Sequence, residues 1–295
     1  MAKKIQDNET KQTLKALLSL IDEPAPSVYQ QIFDSILSMG AAVIPFLRTE
    51  IDNTFSPLLR CRLEELIQKI RFEGICNAIQ RWKASENHDL IQFMKILARF
   101  HNPEMNHAIV ENKLLAIKKD IWLELSQNLT SLESIRLVNH ILFNIRKLKP
   151  ETTNNIKPEN FYLDQFLVSK QIYPMVFGAF YLGICQRLTL PVFFVNLPDN
   201  FLIAYTNLSL TVSEQHTADP LFYINPLMEG VAFNKAQIEH FLAQNDIEAK
   251  PQYFAPCNNL HVAIKLLQEA VRLYQSKGEL MKTENIEAMI EILKS

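Results

Sequence analysis

The sequence predicts an α+β chain that is mainly α, and three observations carry that reading. From Thr10 to about Lys149, apolar residues recur almost throughout at the spacing of one helix face. Beyond that point the period changes. The short runs VFFVNL, FLIAY and LFYIN are rich in Val, Ile, Phe and Tyr and bounded by Pro and Asn, which marks them as strands. The last sixty residues then return to helical patterning. At 295 residues and 48% hydrophobic content, the chain is long enough for one large domain or two of ordinary size.

In order, the first stripe is Leu14, Leu17, Leu18 and Ile21, and the second is Tyr29, Ile32, Phe33, Ile36 and Leu37. Pro24 and Pro26 break the chain between them, Ser27 is placed to cap the second helix, and Met39-Gly40 ends it. With Ala41 to Asp52 these segments look like a HEAT-type pair, in which neither helix hides its apolar face alone, although no second copy follows at a fixed period. Further helices are expected over 57–84, where Leu59, Leu63, Leu66, Ile67 and Ile70 share a face, and over 88–100, 104–127 and 131–147. The polar stretch from Lys149 to Asn155 then reads as a boundary. The expected organisation is a helical, HEAT-like domain over 1–150, a core over 151–256 and a C-terminal helical pair over 257–295. Capped helices over Asn234–Ala243, Asn259–Gln275 and Lys282–Leu293 complete the chain, with Gly278 between the last two.

Composition removes several function classes. Thirty basic residues against 32 acidic ones leave a formal charge of −2, so nothing global favours nucleic acid or an anionic membrane as partner. The basic cluster KLLAIKKD and the pair Arg146-Lys147 read as solvated helix faces. Only six glycines occur, none in GxGxxG or GxxxxGK[ST], so a nucleotide cofactor is not expected. Cys61, Cys76, Cys185 and Cys257 form no C-x-x-C pair, which fits reduced thiols, and the histidines show no ligand spacing that would support a metal site. The polar N-terminus lacks the apolar core of a secretion signal, and no run reaches the roughly 18 apolar residues of a membrane span. A cytoplasmic location is the resulting expectation.

The stretch from Pro174 to Tyr205, PMVFGAFYLGICQRLTLPVFFVNLPDNFLIAY, places a buried apolar helix directly before two strands. It closely resembles the central segment of the bacterial SirB-type transglutaminase-like family, which reads roughly G-N-P-I-S-L-G-x-x-Y-L, then R-L-x-L-P-x-x-x-V-N-L-P-x-H-F. The resemblance implies a papain-like core, a helix packed on a small antiparallel sheet, preceded by HEAT-like helices and followed by a tetratricopeptide-like pair. In the wider group, a nucleophilic Cys opens the helix while His and Asp on adjacent strands activate it. The helix-start position, Ser in SirB-type proteins and Cys in true transglutaminases, is Val176 here. The general-base position in L-P-x-H-F is Asn200, and the orienting aspartate of the Y-I-D-P type strand is Asn225. Ile172-Tyr173 replaces the Gly-Asn before the proline, making the entrance bulkier and more apolar. The resemblance therefore implies a degenerate, non-catalytic member with no cofactor, acting by binding a protein or peptide.

Two alternatives remain open at this stage. Cys257 precedes a helix start that favours a thiolate, and His261 follows four residues later, which would suit a thiol hydrolase or amide transferase. Cys185 lies nine residues beyond Val176, deep in the helix, where burial would raise its pKa. The second alternative is a structural or assembly factor that uses only its helical surface.

Overall fold

The computed structural model describes residues 12–18, 20, 26–152, 157–198, 200–207 and 220–295. The expected stripe residue Ile21, the helix breaker Pro24 and the turn residues Thr153–Asn155 lie outside the described residues, as does His216. The chain divides into two compact units, one ending at Ala78 and one beginning at Ile79.

The first unit is helical. It comprises α1 (residues 12–18), α2 (Pro26–Ser38), a 3-10 turn at Gly40–Val43, α3 (Ile44–Asn53) and most of α4 (Pro57–Lys83). The stripe residues meet in one core: Leu14, Ile32, Phe33 and Ile36 pack with Val43, Leu47, Leu63, Leu66, Ile67 and Ile70. Each helix offers a narrow apolar stripe, so burial requires several short helices to share one core.

The second unit begins with helices α5 (Leu90–His101), α6 (His107–Glu124) and α7 (Ser131–Asn139). Their starts are set locally. The side chains of Asp89 and Asn106 accept from the N–H groups of Gln92 and Ile109, and Thr130 with Glu133 forms a reciprocal capping box. The helix expected over 131–147 is not uniform: after Asn139 the chain widens into a π-helical turn, His140–Ile145. Lys149–Pro150, within the expected turn-rich stretch, forms β1 and pairs in parallel with β2 (Gln171–Ile172). Between them lies α8 (Leu163–Ser169).

Helix α9 (Pro174–Arg187) is the centre of this unit, and every residue from Val176 to Cys185 is buried. It feeds β3 (Val192–Val195), β4 (Leu202–Tyr205), β5 (Phe222–Asn225) and β6 (Val231–Phe233). Then follow α10 (Lys235–Gln244), β7 (Pro256–Cys257), α11 (Asn259–Ser276) and α12 (Leu280–Lys294). The five strands form an antiparallel sheet in the order β6-β5-β4-β3-β7. β6 and β7 are additions to the three strands expected, and each is only two or three residues long.

Side chains alternate across the sheet, so its two faces have separate duties. Val195, Leu202, Ala204 and Tyr223 pack with Ile238 and Leu242 of α10 and with Phe254. The opposite face, carrying Phe194, Ile203 and Ile224, belongs with α9 and α11, both of which pack on β3. Gly178 lets α9 approach closely, since a Cβ there would lie 2.6 Å from the ring of Phe201. Phe201 in turn meets Phe194, with ring centroids 4.9 Å apart.

Candidate functional site

Helix α9 starts abruptly. Tyr173 holds an extended backbone and Pro174 occupies the first turn, where its missing N–H costs no helical hydrogen bond. Two residues on, Val176 is 2% exposed. Asn200 sits in the loop between β3 and β4, where its Nδ2 donates to the Pro198 carbonyl at 3.1 Å. Asn225 is the last residue of β5 and is 7% exposed. Its Oδ1 accepts from the Leu227 N–H at 2.9 Å, capping the 3-10 turn Pro226–Met228.

The fold brings the elements that carry these three positions to one corner. The antiparallel pairing of Ile203 with Ile224 places the start of β4 beside the end of β5. Helix α9 packs against the Pro226–Met228 turn, and its Gly178 lies against Phe201, the residue after Asn200. The side chains those elements carry at Val176, Asn200 and Asn225 are one aliphatic group and two amides.

Sequence reasoning missed the residues that hold this corner in place. The Gly230 N–H donates to the Asn225 carbonyl at 3.0 Å, closing the turn. Asn139, the last residue of α7, donates to the Gly230 carbonyl at 2.9 Å and accepts from the Tyr181 hydroxyl at 2.7 Å. Gly230 has φ +71, and a Cβ there would fall 2.0 Å from Asn139 Oδ1, so both conformation and space call for glycine. Tyr181 is fully buried in α9, and its burial holds the phenol well above its usual pKa, so it stays a donor. Asn139 lies 91 residues from Gly230, and no local pattern announces the link.

The entrance before Pro174 is also committed. Ile172 is buried in β2, and the Tyr173 hydroxyl donates to Glu269 Oε2 of α11 at 2.8 Å. Burial and the Glu269 carboxylate push this phenol up to about 12.

Cys257 and His261 are placed separately. Cys257 is half-buried in β7 opposite Phe194, and its Sγ donates to the Ala255 carbonyl at 3.8 Å. Partial burial pushes the thiol up, against weaker lowering by the Asn196 backbone and Lys265. That is opposite to the shift an activated nucleophile needs. His261 lies in the first turn of α11 with its Nδ1 on Asn258 Oδ1 at 2.7 Å, so its ring is bonded to the helix cap. Cys185 is fully buried in α9, and burial drives its thiol far up.

Among the described residues, no group of three or more His, Cys, Asp and Glu could hold a metal ion. Among the same residues, no single helix is long and apolar enough to cross a membrane.

A family model for the transglutaminase-like superfamily matches residues 108–268, from the first turn of α6 into α11. That is more than half of the chain and includes the whole corner, and the chain belongs to this superfamily. The comparisons with curated proteins and with solved structures each gave no match.

Proposed function

We propose that this transglutaminase-like chain is a degenerate, SirB-type member that has given up acyl transfer and binds a protein or peptide segment. The observation that carries the reading is the chemistry of the corner. Val176 has no nucleophilic atom, and the amides of Asn200 and Asn225 cannot shuttle protons near neutral pH. Their hydrogen bonds go to Pro198 and Leu227, within their own turns. A triad acts as a unit, so three neutral replacements argue against it more strongly than any one alone.

Binding is supported by what borders the corner. Met228 and Val231, on either side of the Gly230 turn, are 55% and 46% exposed. Val231 opens β6, the outer strand of the sheet, whose backbone direction suits pairing with an extended segment. Apolar side chains beside a strand edge are the recognition elements such a segment uses, backbone bonds supplying affinity and side-chain contacts supplying selectivity.

Two measurements test the proposal. A glutamine-containing peptide incubated with a primary-amine probe should show no amine incorporation above a thiol-blocked control. Incorporation that disappears in Cys257→Ser would replace this reading with a thiol enzyme. A displayed peptide library should yield extended apolar binders whose affinity falls by about tenfold or more in Met228→Asp, corresponding to about 1.4 kcal/mol. Binders indifferent to that change, or none at all, would remove the corner as the binding surface.

A further inference from the structure

Away from this corner, a second polar cluster is buried where α5, α8 and α11 meet. His101, the last residue of α5, stacks on Tyr162 with ring centroids 4.2 Å apart and planes within 10°. Tyr162 immediately precedes α8, and its hydroxyl bonds that of Tyr274 in α11 at 2.7 Å. Two residues after Tyr162, Asp164 is 8% exposed, and its Oδ2 accepts from Asn102 Nδ2 at 3.0 Å and Gln165 Nε2 at 3.4 Å.

Two buried side-chain atoms in the described residues have no hydrogen-bond partner, and both belong to this cluster: His101 Nδ1 and Asp164 Oδ1. A third deficit follows from counting protons. Tyr162 and Tyr274 are 2% and 0% exposed, and among the described residues their hydroxyls bond only each other. Two phenols carry two protons, and one bond between them uses one. The other proton points into a buried region without an acceptor of its own. An unpaired buried group loses its hydration with nothing in return, so folded proteins rarely leave one.

We propose that one water molecule is built into this cluster, bonded to Asp164 Oδ1, His101 Nδ1 and the free proton of the Tyr162–Tyr274 pair. The count closes for either imidazole tautomer. With His101 protonated on Nε2, the water donates to Nδ1 and to Asp164 and accepts the phenolic proton. With His101 protonated on Nδ1, the water accepts from the ring and from the phenol and donates to Asp164. About three hydrogen bonds is the usual complement of a buried water. An ammonium or alkali cation fits less well, since it cannot accept the phenolic proton.

The surrounding charges agree with a neutral imidazole. Burial and Lys282 depress the His101 pKa, while Asp164, Glu159 and Glu279 oppose that more weakly. Lys282 is itself paired with Glu279 at 2.8 Å and lies over the Tyr274 ring. The water would thus tie α5 and α8 to α11, the helix against which α12 packs.

A crystal structure of the full chain near neutral pH, at a resolution that shows ordered solvent, decides the matter. One peak is expected within about 2.6–3.2 Å of both Asp164 Oδ1 and His101 Nδ1, and of one of the two phenolic oxygens. A direct His101–Asp164 hydrogen bond with no peak between them would overturn the proposal. So would a peak that gains anomalous signal after a rubidium soak, because the occupant would then be a cation.

Discussion

The corner at Asn225 and the cluster at Tyr162 are both polar and both buried in the second unit, yet they meet their hydrogen-bonding needs in different ways. Asn200 and Asn225 find partners two residues away. Tyr162 and Asp164 depend on Tyr274 and Asn102, which lie 112 and 62 residues distant. A remote residue, Asn139, positions the corner's turn against α9 through Gly230 and Tyr181. The difference teaches that polar side chains paired within their own turns are satisfied at little cost. A polar cluster shared among helices stays costly unless every member is paired.

The strongest attempt to break this contrast is Gly230→Ala. Forcing a side chain into a φ of +71 and against Asn139 should cost about 2–4 kcal/mol, read from chemical denaturation. A loss below about 0.5 kcal/mol would mean that Asn139 and Tyr181 do not hold the corner. Next in size, Tyr274→Phe deletes one of the paired phenols in the other region and should cost about 1–2 kcal/mol by the same assay. Asn225→Ala removes only a local cap, so about 1 kcal/mol or less is expected. If Asn225→Ala proves more damaging than Tyr274→Phe, the contrast between local and shared satisfaction fails.

A smaller effect should appear with pH. His101 has its pKa depressed in the folded state below the ordinary value of 6.5, so the unfolded chain takes up the proton more readily. Its contribution is intact above about pH 6.5 and is lost as the pH falls below it. Melting temperatures of wild type and His101→Phe, compared between pH 7.5 and 5.5, should show the wild type losing more on acidification. Equal losses would show that His101 is not insulated from solvent as its burial implies. Smallest of all is the expected reactivity at Cys257. Its alkylation at pH 7 should run no faster than that of a free cysteine of pKa ~8.5, whereas faster modification would reopen thiol chemistry at Cys257.

The helices were legible because their stripes are long and periodic. Leu63, Leu66, Ile67 and Ile70 are all buried in the core the pattern anticipates. VFFV, LIAY and FYIN were legible as strands for the same reason, each being a β-rich run of four buried or half-buried residues. β6, β7 and the β1–β2 pair were not, since two or three residues carry no period and owe their state to partners distant in the chain. The π-helical turn after Asn139 was likewise invisible, because the sequence there continues to read as helix. At the site, resemblance assigned Val176, Asn200 and Asn225, but nothing local to Asn139, Tyr181 or Gly230 reveals that they share one network.

By itself, the sequence determined the class of the fold, its helical first unit and the residue types at Val176, Asn200 and Asn225, because periodicity and side-chain identity are local properties. Tertiary structure alone decided that the elements bearing those residues meet at a corner, that Asn139 secures it from another helix, and that the hydrogen-bonding deficits gather around His101 and Asp164. The physical reason is that hydrogen bonding and desolvation depend on which distant groups are brought within about 3 Å, and no spacing along the chain encodes that distance.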